Sequence, residues 1–347
     1  MTLFMREPPC GGFPWGTRQN WTLTGFAILC VLVGHILIIY TQEKTRYPLV
    51  EIIYSFHMPL FFFVSGYVGY KSQSTQKGVY SFLKGKVKSL LIPYITWLFV
   101  MPLMLNNEYP SNLSAIIQKI NFVPNLNYWF LPLMFTFHVI YLFWHKYSFF
   151  GGAKKELEGL LVLFSTIVLT GLLFKSYYTC VYAIYGLSFF FGYFISKYTI
   201  IEKFCCQRRV AIFSIFFLIL LWKIFPLDTS INPSPTYSLL NLGSFLVTSL
   251  LSIILFLCFF KTVTMPSFVS SVLIELGKST MALYLLPIYL LPSGYVFPSN
   301  LPYSLVTILA IIISLVQGFV SYLIFKACLQ IPIIPNILFG SKSKTTL

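Results

Sequence analysis

Two histidines lie inside hydrophobic segments of the chain, and each belongs to a dense local pattern. His35 ends the run GFAILCVLVGH, and His57 is the second residue of FHMPLFFFVSGY. An ionisable side chain is costly to keep at membrane depth, so its presence there indicates a functional site. Because histidine changes its charge near neutral pH, the pair predicts reversible proton transfer as the chemistry.

Two neighbouring helices of opposite direction, near 21–40 and 49–70, are predicted to position this pair. At about 1.5 Å per residue, both imidazoles would lie roughly 8 to 11 Å below the same outer boundary and could face one cavity. The alternative is that each histidine is a packed, hydrogen-bonded residue that joins two helices. We give that second interpretation to the remaining histidines, His138 and His145.

The composition is that of an integral membrane protein. Hydrophobic residues make up 57% of the chain, charged residues make up 10%, and the mean hydropathy is +0.80. A soluble chain would need far more polar surface. We therefore predict an all-α, polytopic helix bundle that forms one domain over residues 1–347. About ten spans of roughly 20 residues are predicted, near 21–40, 49–70, 89–105, 126–146, 157–174, 177–196, 210–226, 238–260, 272–292 and 302–326.

Lysine and arginine set the predicted orientation. With the N-terminus inside, 18 of the 24 fall in inner segments, where positive charge is preferred. Both terminal segments, 1–20 and 327–347, are therefore predicted to be cytoplasmic. This topology and attraction to anionic lipids explain the net charge of +15, so membrane lipids and not nucleic acid are the expected partners. The seven cysteines follow no metal-binding or disulfide spacing, so no metal is predicted.

Four blocks occur in order over residues 20–135, and a weaker one follows. They are GFAILCVLVGH (25–35), FHMPLFFFVSGY (56–67), KGKVKSLLIPYITW (84–97) and YWFLPLMF (128–135), then LGKSTMALYLLPIYLL (276–291). In this order the set resembles the membrane-bound acyltransferase family 3, whose bacterial members include fucose O-acetylase-like enzymes. The resemblance implies acyl transfer from a cytoplasmic thioester, usually acetyl-CoA, to a sugar hydroxyl handled at or across the membrane.

Carried over by position, His35 matches the essential histidine of that family. The other matching residues are His57, Pro59, Phe61, Phe62, Ser65, Gly66, Lys86, Lys88, Pro93, Trp129 and Phe130. The chain also departs from the pattern. The family commonly has a basic residue eleven positions before the first histidine and an acidic one three before that, where this chain has Thr24 and Trp21. Pro287 stands where the late block usually ends in histidine.

Position 24 shares a helix face with His35 and lies about 16 Å nearer the cytoplasm. A cation there would suit a phosphate-bearing donor, but Thr24 offers only a hydrogen bond. Donor binding is therefore assigned to Thr24 together with three inner lysines, Lys84, Lys86 and Lys88. A changed donor or lost activity is the alternative.

Our mechanistic hypothesis makes neutral His35 the general base on the acceptor hydroxyl, a role that contributes roughly 100 to 10,000-fold in typical enzymes. His57 is its catalytic partner, and His57, Ser65 and Tyr67 are candidate donors to the oxyanion. Direct transfer and an acyl-histidine relay both stay open. Substrate binding is assigned to Ser65, Tyr67, Trp129 and Phe130, with Trp129 as a platform for a sugar ring.

The predicted setting is the bacterial cytoplasmic membrane. The expected substrates are an acyl-CoA and a saccharide acceptor, free or lipid-linked, with no permanently bound cofactor. A saccharide flippase or exporter is one alternative, but it predicts polar residues spread through many spans. A polymerase is another, and would more naturally need a large outer loop.

Overall fold

The computed structural model describes residues 17–40, 48–71, 78–104, 128–146, 152–173, 177–224, 239–290, 297–298 and 301–341. Within these ranges the chain is helical and has no strand, as predicted. The α-helices are α1 (Thr17–Tyr40), α2 (Pro48–Lys71), α3 (Val79–Lys86), α4 (Ile92–Met104), α5 (Phe130–Lys146), α6 (Ala153–Leu173), α7 (Tyr177–Lys197), α8 (Thr199–Cys205), α9 (Arg208–Ile224), α10 (Leu239–Thr262), α11 (Ser267–Lys278), α12 (Thr280–Leu285), α13 (Tyr303–Cys328) and α14 (Ile334–Phe339).

Four of the described helices are long and apolar enough to cross a membrane. They are α1, α2, α10 and α13, and the pair α7 and α8, bent by 109°, makes a fifth if it is one span. This set of long apolar helices makes the chain a multi-pass membrane protein. The prediction of ten spans and of cytoplasmic termini stays a prediction.

The outer faces of α6, α9 and α13 are apolar and exposed. Val162, Phe213 and Val316 each expose more than half of their surface. A soluble protein would bury side chains of this kind, whereas lipid tails are as apolar as the side chains themselves. These faces therefore suit contact with lipid.

Two close helix crossings hold the centre of the bundle together. Where α2 crosses α7, a Cβ atom added to Gly192 would lie 2.0 Å from the carbonyl oxygen of Phe63. Where α1 crosses α11, a Cβ atom on Gly277 would lie 2.2 Å from the carbonyl oxygen of Trp21. Only glycine lets the backbones approach this closely, and small residues have this role in membrane helix packing.

A π-helical turn, Val87–Leu91, joins α3 to α4. Pro93 explains it, because a proline has no N–H for the carbonyl of Ser89 and its ring crowds that carbonyl. The C-terminal helix α14 packs against this turn. Trp97 donates its indole N–H to the carbonyl of Leu338 at 2.9 Å, and Gly340, with φ of 59°, lies against the backbone of Ser89.

Candidate functional site

The two histidines of the motif blocks, here called the histidine pair (His35 and His57), lie on packed, adjacent helices. Their rings are close enough to interact electrostatically. The ring of Tyr54 contacts His57 at 4.6 Å between centroids, and its edge lies beside Gly34, the residue before His35. The structure therefore brings the pair together near the end of the bundle where α1 ends and α2 begins.

The two rings of the pair differ in their hydrogen bonds. His57 is buried, and its Nδ1 donates to the carbonyl of Ile53 at 2.7 Å, which leaves Nε2 as an acceptor when the ring is neutral. His35 lies deep in the bundle but is only partly covered. No group in the described ranges forms a hydrogen bond with either ring nitrogen of His35.

A cavity lies further along α1 and α2, in the half of the bundle that is predicted to face the cytoplasm. About 620 Å³ of space is free of atoms there, including the part that is open to the outside. Its walls come from α1, α2, the π turn, α5 and α12. The lining residues are Trp21, Thr24, Phe61, Val64, Ser65, Val68, Leu90, Phe130, Leu131, Met134, Thr280, Met281 and Tyr284.

The cavity and the histidine pair occupy different heights. Thr24 lies eleven residues before His35, or about 16 Å along α1, and Ser65 lies eight residues after His57, or about 12 Å along α2. Neither histidine is among the residues that line the cavity. The cavity comes nearest to the pair at Phe61, about one helical turn from His57.

The cavity contains three of the predicted site residues, namely Thr24, Ser65 and Phe130. The Thr24 hydroxyl donates to the carbonyl of Asn20 at 2.8 Å, so it is already engaged within its own helix. The Thr280 hydroxyl likewise donates to the carbonyl of Gly277 at 2.6 Å. In contrast to these two threonines, Ser65 has a hydroxyl that is bonded to another side chain.

Ser65 and His138 form what we call the serine–histidine dyad. The Oγ atom of Ser65 lies 3.4 Å from Nε2 of His138, and Nδ1 of His138 lies 2.8 Å from the carbonyl oxygen of Met134. Because a carbonyl only accepts, Nδ1 carries the proton and Nε2 accepts from Ser65. The sequence prediction that His138 is a packing residue did not identify Ser65 as its neighbour.

The three predicted donor lysines have different environments. Lys84 and Lys88 are exposed, and Lys84 lies over the ring of Tyr80. Lys86 is buried, with its ammonium 5.1 Å from the centroid of Phe82 and within electrostatic reach of His138. Burial holds the pKa of Lys86, which precedes the predicted third span, well below its usual value. Lys86 thus belongs to the interior beside the dyad.

The other residues predicted to bind substrate contact aromatic side chains or, for Tyr67, a glutamate carboxylate. Trp129 stacks on Tyr182 and Tyr185 at 6.2 and 5.5 Å, outside the residues that line the cavity. Phe130 meets Phe61 edge to face. Tyr67 is buried, and its hydroxyl donates to Glu202 at 3.4 Å.

Glu156 is a buried carboxylate that the sequence interpretation did not single out. It accepts hydrogen bonds from Lys197 at 2.8 Å, Tyr193 at 2.7 Å, Tyr198 at 2.8 Å and Trp144 at 3.2 Å. Burial alone would raise the pKa of Glu156, but the bonds from Lys197 and the two tyrosines outweigh it and lower this pKa. With its oxygens so occupied, Glu156 joins α5, α6 and α7.

Comparison with known proteins gives the family. A family model described as an acyltransferase domain matches residues 23–323, which include every predicted site residue. No curated protein and no solved structure matches the chain. Because the match covers most of the chain and the resemblance of the four blocks agrees with it, this protein belongs to the membrane acyltransferase family 3.

Proposed function

We propose that this protein is a membrane O-acyltransferase that moves an acyl group, acetyl in the first instance, from acyl-CoA to a hydroxyl of a cell-surface saccharide. One observation carries the proposal. The ring of His35 is deep in the bundle, partly accessible and without a hydrogen bond from the described residues. Such a ring can offer a lone pair to a hydroxyl, whereas His57 already has one nitrogen engaged and His138 has both.

The proposed reaction follows from this availability. His35 takes the proton of the acceptor hydroxyl as its oxygen attacks the thioester carbonyl, because an unassisted sugar hydroxyl is a poor nucleophile. The tetrahedral intermediate then collapses, its C–S bond breaks, and the thiolate of CoA takes the proton from His35 and leaves as CoASH. His57 is the proposed partner of His35 in the pair, and its Nδ1 bond to Ile53 leaves Nε2 as an acceptor when the ring is neutral.

The donor is proposed to approach from the end of the bundle that holds the cavity. Leu90 in the π turn forms part of the cavity wall, and Lys88 lies two residues before it on the exposed surface. Phosphate groups of CoA would be attracted to Lys88 and Lys84, as point charges that need no fixed geometry. The expected location is the bacterial cytoplasmic membrane, with this end inside.

The test compares surface glycans by mass spectrometry from cells that have the gene, lack it, or carry His35→Ala. Cells with the gene should show glycan heavier by one acyl unit, and both other strains should lack it. Ile39→Ala, one turn further along α1 at a side chain that is 45% exposed, is the matched control and should retain modification. Normal acylation in a well-expressed His35→Ala strain would reject His35 as the base. Loss of the whole polymer would favour transport or polymerisation.

A further inference from the structure

We propose that Ser65 is a nucleophile that carries the acyl group as an ester, with His138 as its general base. The inference rests on the proposed acyl transfer and adds a covalent step to it. Activated nucleophiles in enzymes share three parts: a hydroxyl or thiol, a base in hydrogen-bond reach, and a third group that orients the base. Ser65, His138 and the Met134 carbonyl supply these parts in this order.

The orientation of His138 is fixed by its own helix. Nδ1 donates to the carbonyl one turn earlier, and the ring is held between Phe82 and Phe189, with centroids at 6.0 and 5.1 Å. His138 is completely buried, so water does not compete for Nε2. The separation of 3.4 Å between Oγ and Nε2 is long for a hydrogen bond, and catalytic contacts of this kind often tighten only when substrate binds.

Ser65 is also accessible to a donor. It is a wall residue of the cavity, in contrast to Ser188, which is buried and bonded to the carbonyl of Ile184. The Thr24 and Thr280 hydroxyls donate to backbone carbonyls, whereas the Ser65 hydroxyl has a basic partner in His138. The cavity extends from Ser65 to Phe61, about one turn from His57, so an ester on Ser65 would lie on the route from the donor end towards the histidine pair.

The chemical step balances with the thioester as the only co-reactant. The Ser65 oxygen attacks the thioester carbonyl while its proton passes to Nε2 of His138, and the tetrahedral intermediate forms. Collapse breaks the C–S bond, and the thiolate of CoA takes the proton from His138 and leaves as CoASH. The acceptor hydroxyl then attacks the ester carbonyl while its proton passes to Nε2 of His138. Collapse of this second tetrahedral intermediate breaks the C–O bond to Ser65, and the Ser65 oxygen takes that proton back from His138.

The experiment reads the acyl group on the protein itself, so it does not depend on knowing the acceptor. Membranes that hold the full chain are incubated with labelled acetyl-CoA, quenched and digested. The peptide that contains residue 65 is then searched by mass spectrometry for an adduct of any acyl mass. We expect a hydroxylamine-sensitive ester on Ser65 that is absent from Ser65→Ala. It should form at least about 100-fold more slowly in His138→Gln, as expected when a general base is lost.

Ser188→Ala is the matched control, because it removes another buried serine hydroxyl from outside the cavity, and this variant should still carry the ester. Glycan acylation that continues in Ser65→Ala at the rate of the unchanged protein would overturn the ester step and leave the proposed function in place. An adduct on another residue, such as His35, would also overturn it. An ester on Ser65 in a strain whose glycans are never acylated would support the step and refute the saccharide acceptor.

Discussion

The histidine pair and the serine–histidine dyad show two ways in which one residue type is held in this bundle. In the dyad, the ring of His138 is completely buried and both of its nitrogens have partners. In the pair, the ring of His35 is partly accessible and has no hydrogen bond from the described residues. An imidazole that donates a hydrogen bond to its own helix presents its other nitrogen in a fixed direction. An imidazole without such a bond depends on its ligand for orientation.

The largest expected effect separates the two members of the pair. His35→Ala should lower acyl transfer about 100 to 10,000-fold while the melting temperature in detergent changes little, because the ring forms no hydrogen bond with the described residues. His57→Ala should also lower the melting temperature, since His57 is buried and bonded to Ile53. Activity assays and thermal melts on the same preparations measure both quantities. Equal losses of stability in the two variants would contradict the comparison.

The next effect tests how the dyad is positioned. A Cβ atom on Gly66, beside Ser65, would lie 1.8 Å from the carbonyl oxygen of Phe189, so Gly66→Ala should destabilise the protein by about 1–3 kcal/mol and slow transfer. Gly69→Ala, one turn further along α2, meets no atom within 4 Å and is the matched control. It should leave stability unchanged or slightly raised. Thermal melts that rank the two variants in the opposite order would reject the close crossing.

A smaller effect measures the dyad bond itself. Ser65→Ala, His138→Phe and the double variant form a cycle whose coupling free energy should be about 0.6 kcal/mol, the average for side-chain hydrogen bonds in membrane bundles. Chemical or thermal unfolding in detergent gives this value. Coupling of zero would mean that the 3.4 Å contact contributes nothing to stability in the absence of substrate.

The smallest effect concerns the donor lysines. Exposed Lys88 lies close in sequence to the cavity wall at Leu90, so Lys88→Ala should raise the KM for acyl-CoA about two- to fivefold, as expected for one exposed charge pair. Lys84→Ala, an exposed lysine over Tyr80, should have a smaller effect. Added salt should reduce the difference between Lys88→Ala and the unchanged protein. A KM that is independent of salt in both would exclude these charges from donor binding.

The proximity of His35 and His57 was predictable, whereas the serine–histidine dyad was not. Both α1 and α2 are long helices in one hairpin, so counting residues from their shared end places His35 and His57 near each other, as the structure does. Helix α5 is shorter, and Phe130 at its start already packs against Phe61 and Phe62 of α2. Counting from a membrane edge therefore gives no height for His138, and its neighbour Ser65 could not be inferred.

The sequence by itself determined that the protein lies in a membrane, that it is helical and to which family it belongs. These properties depend on composition and on the order of the motif blocks along the chain. It also marked Thr24, Ser65 and Phe130, which tertiary structure then placed around one cavity. Tertiary structure decided that Lys86 is buried while Lys84 and Lys88 are exposed. Helix periodicity puts Lys86 on the face opposite the other two lysines, and the packing of neighbouring helices decides which face is buried. The physical reason is that helix periodicity and hydropathy are local properties, whereas the partner of a buried hydroxyl or imidazole depends on which distant helix crosses at that height.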